Sequence, residues 1–106
     1  MNLITKPTTS HVQRIIEAVA ESFNVDAVSI VLEQATSTRK LSTARSVCAF
    51  LLKDKIPKDK IASLLGRKNN QYAYAAIERV YAKSQADRDY YARVDRLACR
   101  FGVRWN

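Results

Sequence analysis

Residues 57–83 read PKDKIASLLGRKNNQYAYAAIERVYAK, and this stretch decides the fold. Pro57 suits the first position of a helix, where a backbone N–H has no partner to lose. Ile61, Leu64 and Leu65 follow at spacings of three and four, which predicts a short helix over 57–65 with one apolar side. Gly66 stops that pattern. Asn69 or Asn70 can cap a second helix, whose inner face is Ala73, Ala76, Ile77, Val80 and Tyr81. A helix of about eight residues, a turn of three or four residues containing glycine, and a longer amphipathic helix make the outline of a helix-turn-helix. The unit is placed at 57–83.

The flanking sequence carries the same periodicity. Arg39 to Asp54 reads as a helix burying Leu41, Ala44, Val47, Cys48, Leu51 and Leu52. Upstream, Ser10 with Gln13 forms a capping box ahead of Val12, Ile15, Ile16, Val19 and Phe23, a helix expected to end near Asn24. Residues 1–9 are then a flexible lead-in to a domain at 10–106. Asp26 can cap a short helix to Leu32 with Val28, Val31 and Leu32 inward. Ser84 with Asp87 opens a last helix to about Arg100, packing Tyr91, Val94, Leu97, Ala98 and Phe101 before Gly102 stops it. The expected fold is all-α, a single domain of about six helices.

A chain of 106 residues has room for one core and no second catalytic domain. No run of about 18 apolar residues is present to span a bilayer, and the first residues do not resemble a signal peptide, so a cytoplasmic location is expected. Cys48 and Cys99 lie far apart and outside any C-x-x-C pair, which predicts two reduced core thiols and no metal site. No G-x-x-x-x-G-K-[ST] phosphate loop occurs, and no other cofactor is implied.

The net charge of +8 is unevenly spread. Residues 1–38 are net −2, whereas residues 39–68 are net +7, with Asp54 and Asp59 as their only acids. A charge run is commonly just a solvated helix face. Here it brackets a helix-turn-helix, whose second helix lies in the major groove with its N-terminal side chains on base edges. Those positions are Asn69, Asn70, Gln71, Tyr72 and Tyr74. Asn and Gln match the donor and acceptor pair of adenine. Capping alone explains one Asn but not Gln71 beside two tyrosines expected to be exposed. Lys58, Lys60, Arg67, Lys68 and Arg45 are expected to hold phosphates, which fix register without reading sequence.

Two segments resemble the C-terminal DNA-binding domain of the bacterial replication initiator DnaA, a likeness running from about Val12 to Val80. Ala44 to Leu51 looks like that family's pattern of Arg, polar, Ile, Ala, Met, aromatic, Leu. Ile61 to Tyr72 falls on its signature Ile-Gly-x-x-Phe-Gly-Gly-Arg-Asp-His-Thr-Thr. The resemblance implies a six-helix fold, duplex DNA as partner, and a monomer. Lys68 stands for the signature Arg, and Asn69, Asn70, Gln71 and Tyr72 replace Asp, His, Thr and Thr, so the family's usual DNA box is not implied. Thr43 falls where the family has an arginine that enters the minor groove, with Arg39, Lys40 and Arg45 close enough in sequence to substitute.

The expectation is a sequence-specific duplex-DNA-binding protein without ATPase or other enzymatic activity, membrane partner or small-molecule substrate. A regulator of replication or transcription, a competitor at an origin acting beside a replication protein, and a phage or mobile-element protein all remain open. Two alternatives stand beside it. An RNA-binding module would stack bases on Tyr72, Tyr74 and Trp105, and a protein-interaction module would dock through Val103 to Trp105. Catalysis would have to rest on Asp87, Asp89 and Asp95 near Tyr90 and Tyr91, but these acids alternate with arginines as on a solvated face.

Overall fold

A computed structural model describes residues 7–31, 38–67 and 71–105, with side chains from His11 onward. Its six helices, in chain order, are α1 (Pro7–Phe23), α2 (Ala27–Val31), α3 (Arg39–Leu52), α4 (Lys58–Leu64), α5 (Gln71–Ala86) and α6 (Arg88–Phe101). The fold is all-α, with no strand among the described residues. None of these helices is long and apolar enough to cross a membrane.

Helix α3 is the axis of the core. Ala44 and every residue from Val47 to Leu52 are wholly buried, so the helix is enclosed on all sides in its second half. Its most extensive partner is α5. Ala44 on α3 and Ala73 and Ala76 on α5 are also fully buried, and such small side chains allow helix axes to approach closely. Ile15 and Val19 of α1, Ile61 and Leu65 at α4, and Val94 of α6 complete the core around it.

Helix ends repeat one device. Asn24 (φ 56°), Gly66 (φ 73°) and Gly102 (φ 67°) take left-handed conformations. The following N–H then reaches back five residues: Val25 to the Ala20 carbonyl at 3.0 Å, Arg67 to that of Ala62 at 2.8 Å, and Val103 to that of Ala98 at 2.8 Å. Carbonyls that a helix end leaves open are thereby satisfied.

Several expectations are corrected. Helix α1 begins at Pro7, so Ser10 lies inside it rather than capping it; a proline in the first turn costs no hydrogen bond. In α2 the inward residue is Ile30, while Val28 is 58% exposed, because five residues offer little more than one turn to the core. Leu32 lies outside the described residues. Pro57 is the cap residue of α4, one position before the helix. Helix α5 runs through Ser84 to Ala86, and Asp87 alone caps α6, its carboxylate accepting the Tyr90 N–H at 3.1 Å. The buried stripe of α6 accordingly starts at Tyr90, and Tyr91 lies off it at 41% exposure. Cys48 is buried as expected, but Cys99 is exposed.

The C-terminal segment packs on its own chain. Trp105 stacks among Phe50 (4.8 Å between centroids), Tyr91 (5.0 Å) and Tyr81 (5.9 Å). Its indole N–H donates to Asp95 at 2.8 Å, and the Tyr81 hydroxyl donates to its carbonyl. Trp105 is therefore half-buried, not a free stacking or docking residue.

Candidate nucleic-acid interface

Helix α4, the turn at Gly66 and helix α5 form the predicted pair, with Ile61, Ala62, Leu65, Ala73, Ile77 and Val80 buried between them and the rest of the core. Burying that side of α5 leaves the opposite one to solvent. At 100° per residue Gln71, Ala75, Glu78 and Ala82 share the outermost face, and all four are exposed. Tyr72, Arg79 and Lys83 lie on the flank toward α3, while Tyr74, Tyr81 and Gln85 lie on the other. The small side chains of Ala75 and Ala82 on this face leave a shallow outer surface that a groove can approach.

Both flanks carry cations. On one side Lys58 stands 5.8 Å from the centre of the Tyr74 ring, and its ammonium donates to the Lys53 carbonyl at 3.3 Å. Tyr74 is 53% exposed, as expected for a base-reading position. On the other side Arg67 lies 5.7 Å from the Tyr72 ring centre. Tyr72 is half-buried against the core, contrary to expectation. Burial raises the pKa of its hydroxyl, with the charges of Arg67, Arg45 and Arg79 pulling the other way. Lys60 is exposed. Lys68, Asn69 and Asn70 lie outside the described residues.

Arg45 is not a surface phosphate contact. It is 1% exposed, and it donates through Nε to the Ile30 carbonyl and through Nη2 to that of Ser29, each at 2.9 Å. A short helix such as α2 cannot satisfy these carbonyls itself, so the guanidinium ties α2 to α3. Desolvation, followed by the nearby Arg67 charge, lowers its pKa. Arginine nevertheless stays charged in the neutral range.

Arg39, Lys40 and Thr43 do come together, in a cleft of about 330 Å³ between α3, α5 and α6 that also presents Lys83 and Arg93. A smaller depression alongside adds Arg79 next to Ser42 and Ser46. Sequence reasoning did not select Arg79, Lys83 and Arg93, because each lies in a segment where acids and bases alternate. Glu78 was also missed, although it follows Gln71 by two turns on the same face. A carboxylate there can accept from the amino group of cytosine.

The other features contain no comparable assembly. A cavity of about 780 Å³ between α1, α2 and α4 is walled by apolar side chains such as Val12, Ile16, Val31 and Leu64, with Lys60 among its few polar residues. Of the candidate catalytic acids, Asp87 caps α6 and Asp95 accepts from Trp105. Among the described residues no three His, Cys, Asp or Glu side chains are grouped to hold a metal ion. No protein-family model, curated protein or solved structure matches the chain.

Proposed function

We propose that this chain is a sequence-specific duplex-DNA-binding protein that lays α5 in the major groove. The observation that carries the reading is the exposed face of α5, Gln71 through Glu78, bordered on one side by Lys58 and on the other by Arg67 and Arg79. A recognition helix needs this order, with readable side chains on the outside and cations on both sides facing the two phosphate strands. Gln71, Tyr74 and Glu78 are the base readers, joined by Asn69 and Asn70, which directly precede α5 in sequence. Lys58, Lys60, Arg67, Lys68, Arg79, Arg39 and Lys40 hold phosphates, with Thr43 beside the last two.

The likeness of residues 44–51 and 61–72 to the initiator's C-terminal domain supports the same docking mode with a different reading set. A regulatory role in replication or transcription, without ATPase activity, follows from it. Single-strand RNA binding by stacking has less support, because Trp105 and Tyr72 are packed inward and Tyr74 already faces Lys58.

Selection of bound sequences from a random duplex pool tests the proposal. A single asymmetric enriched motif is expected, as befits one helix-turn-helix acting as a monomer. Gln71→Ala should relax preference at one position by about 1–3 kcal/mol, whereas Lys68→Ala should weaken all duplexes alike. An unenriched pool, or identical behaviour of the two variants on selected and random duplex, would contradict the assigned roles.

A further inference from the structure

We propose that the cleft between the start of α3, the end of α5 and the start of α6 seats the sugar-phosphate backbone bordering the groove that α5 enters, with Lys83 and Arg93 as its phosphate-binding side chains. The inference rests on the duplex-binding reading and extends the contact to α6, an element outside the helix-turn-helix.

Two aromatic rings form the floor. Lys83 stands 5.2 Å from the centre of the Tyr90 ring, and the Arg93 guanidinium 5.4 Å from that of Phe23. The rings themselves are 6.2 Å apart. Cations held over ring faces are positioned without being neutralised. Among the described residues neither Lys83 nor Arg93 is within ion-pair distance of a carboxylate; the pair found is Lys53 with Asp54. Two acids, Asp87, which also caps α6, and Asp89, face four cations at the cleft, which remains net positive.

The placement of Arg39 and Lys40 points the same way. They occupy the first turn of α3, which contains no acid, where the helix dipole disfavours positive charge. Four cations around one small cleft repel one another over distances comparable to the screening length of about 8–10 Å. A phosphodiester between them removes that repulsion.

Reach is consistent with this role. Lys83 lies twelve residues beyond Gln71, ~18 Å along the axis of α5. The major groove is about 12 Å wide. A helix that enters the groove end-on with its first turn foremost brings Lys83 past the groove edge and onto the bordering strand. Lys83 also shares its flank of α5 with Arg79, so the cations form a continuous track from Arg67 to Arg93.

The test compares Lys83→Gln/Arg93→Gln with Arg14→Gln/Arg100→Gln, which removes the same charge from elsewhere on the surface. Affinity for the selected duplex is measured against salt concentration. The cleft variant should lose about tenfold per charge near 0.1 M salt and lower the log–log salt slope by about two, the signature of two lost phosphate contacts. Its helical circular dichroism should be unchanged, and Lys83→Arg/Arg93→Lys should restore binding. Equal behaviour of the cleft and control variants, with the unmodified protein binding duplex, would overturn the cleft assignment alone. Absence of duplex binding by the unmodified protein would overturn the underlying reading and the inference with it. Inorganic phosphate should compete no better than chloride at equal ionic strength; selective competition at low millimolar phosphate would make the cleft a small-anion site instead.

Discussion

Arg45 shows how one side chain separates a structural charge from a functional one. Arg45→Ala would leave the Ser29 and Ile30 carbonyls without their donor and should destabilise the fold by about 3 kcal/mol in urea unfolding. An unchanged unfolding midpoint would contradict this assignment. Tyr90 gives a second prediction. Its hydroxyl is held neutral by burial, and secondarily by the nearby Asp87 charge, with its pKa pushed up to about 12 from an ordinary 10.0. Stability from this group is complete below pH 10 and is lost as pH rises through 12, so alkaline unfolding should be delayed in Tyr90→Phe. An ultraviolet titration in which all five tyrosines ionise together near pH 10 would disagree. The sequence makes Gln71 and Tyr74 visible as outward-facing residues, because the apolar residues of α5 leave them on the other side. It does not reveal Arg45. An amphipathic reading sends every arginine to solvent, and only the open carbonyls of α2 provide a reason to bury this one.

At the scale of helices, the stops were more legible than the starts. Gly66 and Gly102 can adopt left-handed backbone at little cost, so each marks an end wherever an apolar pattern breaks. Gly102→Ala should cost about 1 kcal/mol through backbone strain alone, since an added Cβ would meet nothing within 4 Å. Asp87→Ala should cost a similar ~1 kcal/mol by releasing the Tyr90 N–H. Thermal unfolding of both variants checks these values, and no loss in either would refute the cap assignments. Starts are ambiguous because several residues can cap. Ser10 and Ser84 both satisfy the local rule, yet α1 begins earlier and α5 continues, since Val12 and Val80 already commit those turns to the core. The shift from Ser84 to Asp87 also explains why Tyr90, rather than Tyr91, is buried. The helix-turn-helix pair emerges over the expected segment, whereas the grouping of Arg79, Lys83 and Arg93 beside it needed the packing of α3 and α6 to become visible.

Over the whole molecule, charge is segregated. The described surface of α1 carries Glu17 and Glu21 against Arg14, while Arg39, Lys40, Lys58, Arg67, Arg79, Lys83 and Arg93 border the outer face of α5 and the adjoining cleft. Such an asymmetric field turns the basic side toward a polyanion during approach and accelerates association at low salt. The proposed fit of this side to a duplex is tested by titrating the protein with duplex DNA and with single-stranded RNA of matched length across a salt series. Tighter binding to duplex is expected, with a log–log salt slope of about −5 or steeper, as six or more phosphate contacts require. Equal or tighter binding to the single-stranded RNA, or no duplex binding at low salt, would contradict it.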